Sequence, residues 1–138
     1  MGQILEALDR LKLTRKTLVI VTSNNGALDS QGADFGHRPN GDLRGQNVGI
    51  YKAGHRMPFL VRWPGMTPAD TACDETISLV DMMTTLCAAA EIEMPADAGP
   101  DSYNLLPAML GGEYARPIRG ATVSVSKFLL YYEFREGP

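Results

Sequence analysis

The apolar positions at the start of the chain change from helical spacing to a continuous run. Leucine and isoleucine recur at helical spacing over about residues 2–13, which predicts an amphipathic helix. Residues 17–22 (TLVIVT) are apolar or β-branched without a break, which is typical of a strand buried on both faces in an α/β sheet. The polar residues 23–25 follow directly, so they lie where open α/β sheets bind ligands.

The remaining pattern predicts short elements around one long irregular segment. Residues 26–57 are rich in glycine and have almost no hydrophobic periodicity, which is typical of a functional or mobile segment. Ser78 and Asp81 match a capping box and predict that a helix begins there. That helix is predicted to continue to about Ala90, with Leu79, Met82, Met83 and Leu86 facing inward. The pattern also predicts a strand over 58–64, a helical turn over 105–110, and strands over 121–125 and 127–134.

Length and composition bound the class of protein. A chain of 138 residues with 44% hydrophobic residues forms one core but not two, so we predict a single domain over residues 1–138. No apolar run reaches the roughly 18 to 20 residues of a membrane-spanning helix, and the first residues lack the basic and apolar order of a signal peptide. We therefore expect no membrane partner, and the sequence leaves the compartment of the protein undecided.

The net charge of −3 conceals an uneven distribution of charged residues. Residues 43–69 contain no acid but several cations and glycines, whereas residues 67–115 contain nine acids and no lysine or arginine. Glycines leave backbone N–H groups accessible, so the basic segment suits a small anion. The chain is acidic overall and has no nucleic-acid-binding motif, so we expect no nucleic-acid partner.

Two groups of side chains carry functional groups suited to ligand binding or proton transfer. Arg44 and Arg56 carry the guanidinium groups that bind an oxyanion through paired hydrogen bonds, and His55 exchanges a proton near neutral pH. Asn24 and Asn25 offer amide oxygens to a hard cation such as Ca²⁺, although neutral amides bind it weakly without carboxylates. The alternatives are an ordinary Asn-Gly turn and a solvated loop whose arginines pair with acids of residues 67–115. The residues alone leave both alternatives open.

Five segments follow one another along the chain, namely TLVIVTSNNGA, GHRPNGDLRGQNVGIYKAGHRMPFLVRWPG, DETISLVDMMTTLCAAAEIEMP, DSYNLLPAMLGG and RPIRGATV. These segments and their order resemble the later, C-terminal part of a sulfatase of the alkaline phosphatase superfamily. They lie within residues 1–125, and residues 126–138 have no place in the resemblance. The resemblance implies an α/β fold in which part of a mixed sheet is flanked by helices.

The resemblance also implies a chemistry. Members of this family hydrolyse sulfate esters with a formylglycine nucleophile and a bound Ca²⁺. The formylglycine comes from a C-x-P-x-R type motif in the N-terminal half of the family's chain, and neither Cys73 nor Cys87 lies in such a motif. The formylglycine site is therefore absent from this sequence, and we assign no catalytic residue.

Metal-binding and substrate-binding positions are carried over residue by residue. The resemblance implies metal ligands at Asn24 and Asn25, where the family usually has Asp-Asn, so one negative charge is lost. The sulfate-ester contacts that it implies are Arg44, Asn47, His55 and Arg56. Asn47 stands where the family usually has a lysine, and a neutral amide cannot neutralise the charge of sulfate.

These departures lead to two functional hypotheses. The first is a sulfatase-like fragment that binds a sulfate ester or another small anion but is inactive alone, because nucleophile, metal and charge clamp act as a unit. This hypothesis implies a missing N-terminal half or a partner chain. The alternative is a non-catalytic module, derived from a sulfatase, that binds an anion or a protein through residues 36–56. A phosphoryl-transfer relative is disfavoured, because the segments RWPG and LVDMMTT resemble sulfatases more closely.

Overall fold

A computed structural model describes residues 1–29, 35–125 and 131–136. In chain order the elements are α1 (Gly2–Arg10), β1 (Val19–Thr22), α2 (Lys52–His55), β2 (Phe59–Arg62), α3 (Met82–Ala89), α4 (Leu106–Met109), β3 (Ala121–Val125) and β4 (Tyr132–Glu136). The chain forms two compact units, of which the first contains Met1–Val21 and Leu60–Arg119 and the second contains the described residues of Thr22–Phe59 and Gly120–Gly137. The assignment of residues 1–138 to a single domain stays a prediction.

Helix α1 confirms the helix predicted at the start of the chain, although it ends earlier than expected. Lys12 adopts a left-handed φ of 56°, and the N–H of Leu13 donates to the carbonyl of Leu8 at 2.9 Å. A left-handed residue after the last turn stops a helix and supplies partners for its final carbonyl groups. The apolar spacing continues through Leu11, so the pattern alone overestimates the length of the helix.

Strands β1 and β2 confirm the two predicted strands and are hydrogen-bonded neighbours in a two-stranded sheet. The expectation that β1 is buried on both faces is wrong for this chain. Its first three residues are half-buried and the fourth is exposed. Within the residues that the structure describes, this sheet contains no third strand.

Helices α3 and α4 contact each other in the first unit and confirm the helix and the helical turn predicted there. The buried side chains of this region include Leu105 and Met109. A short 3₁₀ turn, Leu79–Asp81, leads into α3 through the predicted capping box, in which the N–H of Ser78 donates to Asp81 Oδ2 at 2.8 Å. The capping residues therefore place the start of the helix as the sequence predicts.

The buried face of α3 differs from the prediction. Met83 and Leu86, which the pattern places inward, are 48% and 45% exposed. Thr85 is fully buried instead, and its Oγ1 donates to the carbonyl of Asp81 at 2.7 Å and accepts the N–H of Leu105 at 2.9 Å. Hydrogen bonds to the backbone thus favour a polar residue at the buried position, and apolar spacing does not register them.

Asp81 also forms a buried ion pair in the first unit. The guanidinium group of Arg119 donates to both carboxylate oxygens of Asp81, and both side chains are buried. The N–H of Tyr103 donates to Asp81 Oδ1 at 3.0 Å, and Arg119 Nη2 donates to the carbonyl of Asp101 at 2.7 Å. These bonds satisfy both charges, which is the condition for burying an ion pair.

The second unit contains an antiparallel hairpin and a short helix. β3 confirms a predicted strand and pairs with β4 so that Val123 lies opposite Phe134. Of the strand predicted over 127–134, residues 127–130 lie outside the described residues, and β4 contains the last three. Helix α2 lies in a segment predicted to be irregular, because four residues with one glycine show no periodicity. In the described part of the chain, no helix is long and apolar enough to cross a membrane.

Candidate functional site

Close packing of two backbone segments builds a candidate site in the second unit. The N–H of Gly26 donates to the carbonyl of Gly54 at 2.8 Å. A Cβ atom at Gly26 would lie 1.7 Å from the carbonyl oxygen of Ala53, a distance that no side chain tolerates. Only glycine therefore allows the turn after β1 to lie directly against α2.

A second contact holds residues 44–49 against the same helix. A Cβ atom at Gly54 would lie 2.6 Å from the carbonyl oxygen of Gln46, so this glycine also permits a close approach. The N–H of Ala53 donates to the carbonyl of Arg44 at 3.0 Å, and the N–H of Asn47 donates to the carbonyl of Ala27 at 2.9 Å. These bonds bring the loop and the turn after β1 together on one side of α2.

An open cavity of about 310 Å³ lies at this junction. Its lining residues are Asn25, Asn47, Val48, Gly49, Gly54, His55 and Val125, all of which belong to the second unit. Three of the six predicted site residues, Asn25, Asn47 and His55, are thus brought together. The sequence assigned no role to Val125, which comes from β3, because contacts over such a separation leave no local pattern.

The two amide side chains present different atoms. Asn25 Nδ2 donates to the carbonyl of Gly26 at 2.8 Å, which leaves Asn25 Oδ1 as an acceptor. Asn47 Oδ1 accepts the N–H of Val48 at 2.7 Å, which leaves Asn47 Nδ2 as a donor. Val48 has a left-handed φ of 75°, which is strained for a β-branched residue and is a feature that clusters at ligand-binding sites.

The other three predicted site residues do not line the cavity. Arg44 Nη2 donates to the hydroxyl of Tyr51 at 2.7 Å, and its guanidinium carbon lies 3.8 Å from the centre of that ring. This stacking engages Arg44 in a cation–π contact. Asn24 and Arg56 are exposed beside lining residues. Their predicted roles stay predictions.

A carboxylate that the sequence did not single out lies beside His55. His55 Nε2 is 3.9 Å from Glu133 Oε2 on β4, and the two side chains are 36% and 34% exposed. A signal for it exists in the alternation of the segment YEFRE, which places Glu133 on the opposite face from Tyr132 and Phe134. That alternation gives a face but no partner, so the proximity to His55 becomes visible only in the structure.

The residues present do not fit a calcium site by themselves. Over the described ranges, no three or more His, Cys, Asp or Glu side chains are grouped so that they could hold a metal ion. Asn24 and Asn25 supply neutral amide oxygens, whereas Ca²⁺ takes six to eight oxygen ligands, with carboxylates among them.

Comparison with known proteins places these features in a family. A family model described as Sulfatase matches residues 1–92. The chain is 37% identical over 120 residues to the N-acetylgalactosamine-6-O-sulfatase of Bacteroides thetaiotaomicron, an alignment that covers 82% of this chain and 23% of the relative. It is 37% identical over 113 residues to the steryl-sulfatase of Rattus norvegicus, with coverage of 80% and 20%.

A solved structure agrees with these matches. The chain superposes with a TM-score of 0.85 and 32% identity on a Bacteroides thetaiotaomicron protein described under the metabolism of multiple glycosaminoglycans, covering 99% of this chain and 29% of the other. The predicted α/β fold class, with part of a mixed sheet flanked by helices, is confirmed. The chain spans about a quarter of the length of the relatives that it matches.

Proposed function

Because the chain belongs to the sulfatase family, we propose that it supplies the later part of a sulfate-ester site in a protein that hydrolyses sulfuric esters. The observation that supports this proposal is the cavity of the second unit, where Asn25, Asn47 and His55 converge. The relatives named above act on sulfate esters of an amino sugar and of a sterol, so the shared chemistry is the sulfate group.

The cavity suits sulfate through a side-chain amide. Asn47 Nδ2 is free of other hydrogen bonds within the described part of the chain, so it offers a donor to the anion. Gly49 and Gly54 have no side chains and so leave room for a small anion, while their own N–H groups donate to the carbonyls of Gln46 and Tyr51. Arg56 is exposed next to His55 and adds positive potential that attracts an anion from solution.

We propose that this chain binds a sulfate ester but does not hydrolyse it by itself. Cys73 and Cys87 lie outside any formylglycine-type motif, and both belong to the first unit, whereas the cavity lies in the second. No step of the proposed binding involves Ca²⁺, because Asn24 and Asn25 do not hold it on their own. We propose that the nucleophile and the remaining metal ligands come from a protein segment outside this sequence.

A non-catalytic module that binds an anion is the second candidate. The absence of lysine and arginine from the described lining residues favours it, because catalysis of ester cleavage needs positive charge where the leaving group gains electrons. The two candidates share the sulfate-binding step and differ in whether a completed site turns substrate over.

Titration calorimetry with sodium sulfate tests the shared step on the 138-residue chain. We expect weak, saturable binding and an increase in affinity of about fivefold for Asn47→Lys, because a partly screened ion pair adds on the order of 1 kcal/mol. Gln3→Lys, an exposed substitution on α1, adds the same charge elsewhere and is expected to change nothing. Heat changes that do not saturate, or an equal effect of both lysines, would contradict the proposal.

An aryl sulfate that releases a coloured phenol separates the two candidates. We expect no release by this chain alone. Release on mixing with the first part of a related sulfatase would favour the hydrolase, whereas sulfate binding without release in that mixture would favour the non-catalytic module.

A further inference from the structure

One group beside the cavity is not explained by the sulfate group. His55 lines the cavity, and Glu133, which lies next to it without lining the cavity, places a carboxylate oxygen 3.9 Å from His55 Nε2. A carboxylate repels sulfate at short range, so Glu133 is unsuited to the charged end of a sulfate ester. The group that faces it must come from the remainder of the substrate.

The pair combines an acceptor with a donor at partial exposure. Glu133 accepts hydrogen bonds and His55 donates them, and each keeps about a third of its surface accessible. At 3.9 Å the two atoms are beyond the 2.7–3.2 Å of a direct hydrogen bond, so neither group fully satisfies the other. A hydroxyl group is both a donor and an acceptor, and it can bond to both atoms at once.

We infer that His55 and Glu133 recognise a hydroxyl group on the alcohol portion of the substrate, so that this chain selects sulfate esters of sugars over those of apolar alcohols. This inference rests on the proposed sulfate-ester site and names its substrate class. The cavity, about 310 Å³ and open to solvent, has room for one sugar unit. An apolar ring placed beside them would displace water from both groups and offer neither a hydrogen bond in return, which costs affinity.

Two sulfate esters of matched shape provide the test. Galactose 6-sulfate and cyclohexylmethyl sulfate each carry a six-membered ring on a sulfated methylene group, and they differ in the ring oxygen and hydroxyl groups. We expect the unmodified chain to bind the sugar ester about tenfold more tightly, because a hydrogen bond to a charged group has roughly this value. Titration calorimetry with each ester gives the ratio of the two affinities.

Substitutions of His55 and Glu133 test whether these two residues cause the preference for the sugar ester. In Glu133→Ala and in His55→Ala we expect the preference to fall to about twofold, as the hydrogen bond to the hydroxyl is lost. Glu136→Ala, on the same strand but the opposite face, and His37→Ala, in the exposed loop, are matched controls expected to keep the tenfold ratio. Glu133→Gln keeps the shape of the side chain and serves if the alanine variant does not fold.

The outcomes separate this inference from the proposed function. A preference that persists in both Glu133 variants overturns the inference, while binding of sodium sulfate leaves the sulfate site standing. Equal binding of both esters by the unmodified chain also overturns the inference and leaves the sulfate site standing. Failure to bind sodium sulfate and both esters removes the proposed site and the inference together.

Discussion

Arg119 reaches Asp81 across 38 positions of sequence and donates to both of its carboxylate oxygens inside the first unit. The same carboxylate accepts the N–H of Ser78 and the N–H of Tyr103. One side chain therefore caps a helix, fixes the segment that leads to α4 and anchors the end of the first unit. A buried charge with this many partners is costly to leave unpaired.

Removal of one member of this pair is expected to destabilise the chain strongly. Arg119→Met leaves the Asp81 carboxylate buried without its cation, and we expect a loss of about 3–5 kcal/mol in the free energy of unfolding. Denaturant titration followed by circular dichroism measures it. Asp81→Asn combined with Arg119→Met is expected to recover part of the loss, because no unpaired charge remains and the amide oxygen still accepts a backbone N–H.

The exposed pair of Arg38 and Asp42 is the control for that experiment. Its side chains are 72% and 95% exposed, and Arg38→Met is expected to leave stability nearly unchanged because solvent screens the charges. A similar loss from both arginine substitutions would show that burial does not distinguish the two pairs.

Gly26→Ala is expected to disrupt the cavity of the second unit. The new Cβ atom would overlap the carbonyl oxygen of Ala53, so the turn after β1 must move away from α2. We expect a loss of about 2–4 kcal/mol in stability together with loss of sulfate binding. A thermal melt and titration calorimetry measure the two effects.

Gly120→Ala serves as the matched control in the same unit. A Cβ atom at Gly120 meets nothing within 4 Å, so the melting temperature and the sulfate affinity are expected to stay unchanged. If Gly26→Ala bound sulfate with wild-type affinity, the close approach of the turn after β1 to α2 would not be required for sulfate binding.

Tyr114 is expected to ionise only at unusually high pH. Its hydroxyl lies 3.5 Å from the sulfur of Cys73, and this hydrogen bond is the main cause that raises the pKa of Tyr114 from 10.0 to about 12, with desolvation second. Because the folded value lies above the unfolded one, the stabilisation is present below about pH 10 and is lost as pH rises through about 12.

Ultraviolet difference titration against Tyr114→Phe isolates the phenolate signal of this residue. In Cys73→Ala we expect the pKa of Tyr114 to fall toward its ordinary value, because the phenol loses its sulfur partner. Cys87→Ala, which removes the other thiol, is expected to leave the titration unchanged. An unaltered Tyr114 titration in Cys73→Ala would assign the shift to another cause.

Elements that depend on neighbours along the chain follow from the sequence. The capping box at Ser78 places the start of α3, and the apolar run places β1, because both signals are local. The buried face of α3 does not follow, since Thr85 is buried through bonds to Asp81 and to a residue 20 positions away. The spacing of apolar residues reflects the burial of hydrophobic side chains and carries no information about hydrogen bonds of this kind.

The candidate site shows the same contrast between local signals and contacts that join distant parts of the sequence. The resemblance and the strand-end position predict Asn25, the resemblance and the imidazole chemistry predict His55, and the resemblance alone supplies Asn47. Glu133 and Val125 enter from a hairpin for which the sequence gives only an alternation of faces. Arg44 differs again, because its charge suits an anion while in the structure its guanidinium group is stacked on Tyr51, and its predicted role stays a prediction. Composition cannot reveal that an aromatic ring seven positions away engages it.

The distribution of the lining residues along the chain sets an order of assembly during synthesis. Asn25 emerges from the ribosome 100 residues before Val125, and Glu133 follows later still. At about 5–20 residues per second, this interval is roughly 5–20 s. Until Val125 has emerged, Asn47, the strained Val48 and His55 lack the lining residue that β3 provides. The cavity is therefore among the last features of this chain to be completed.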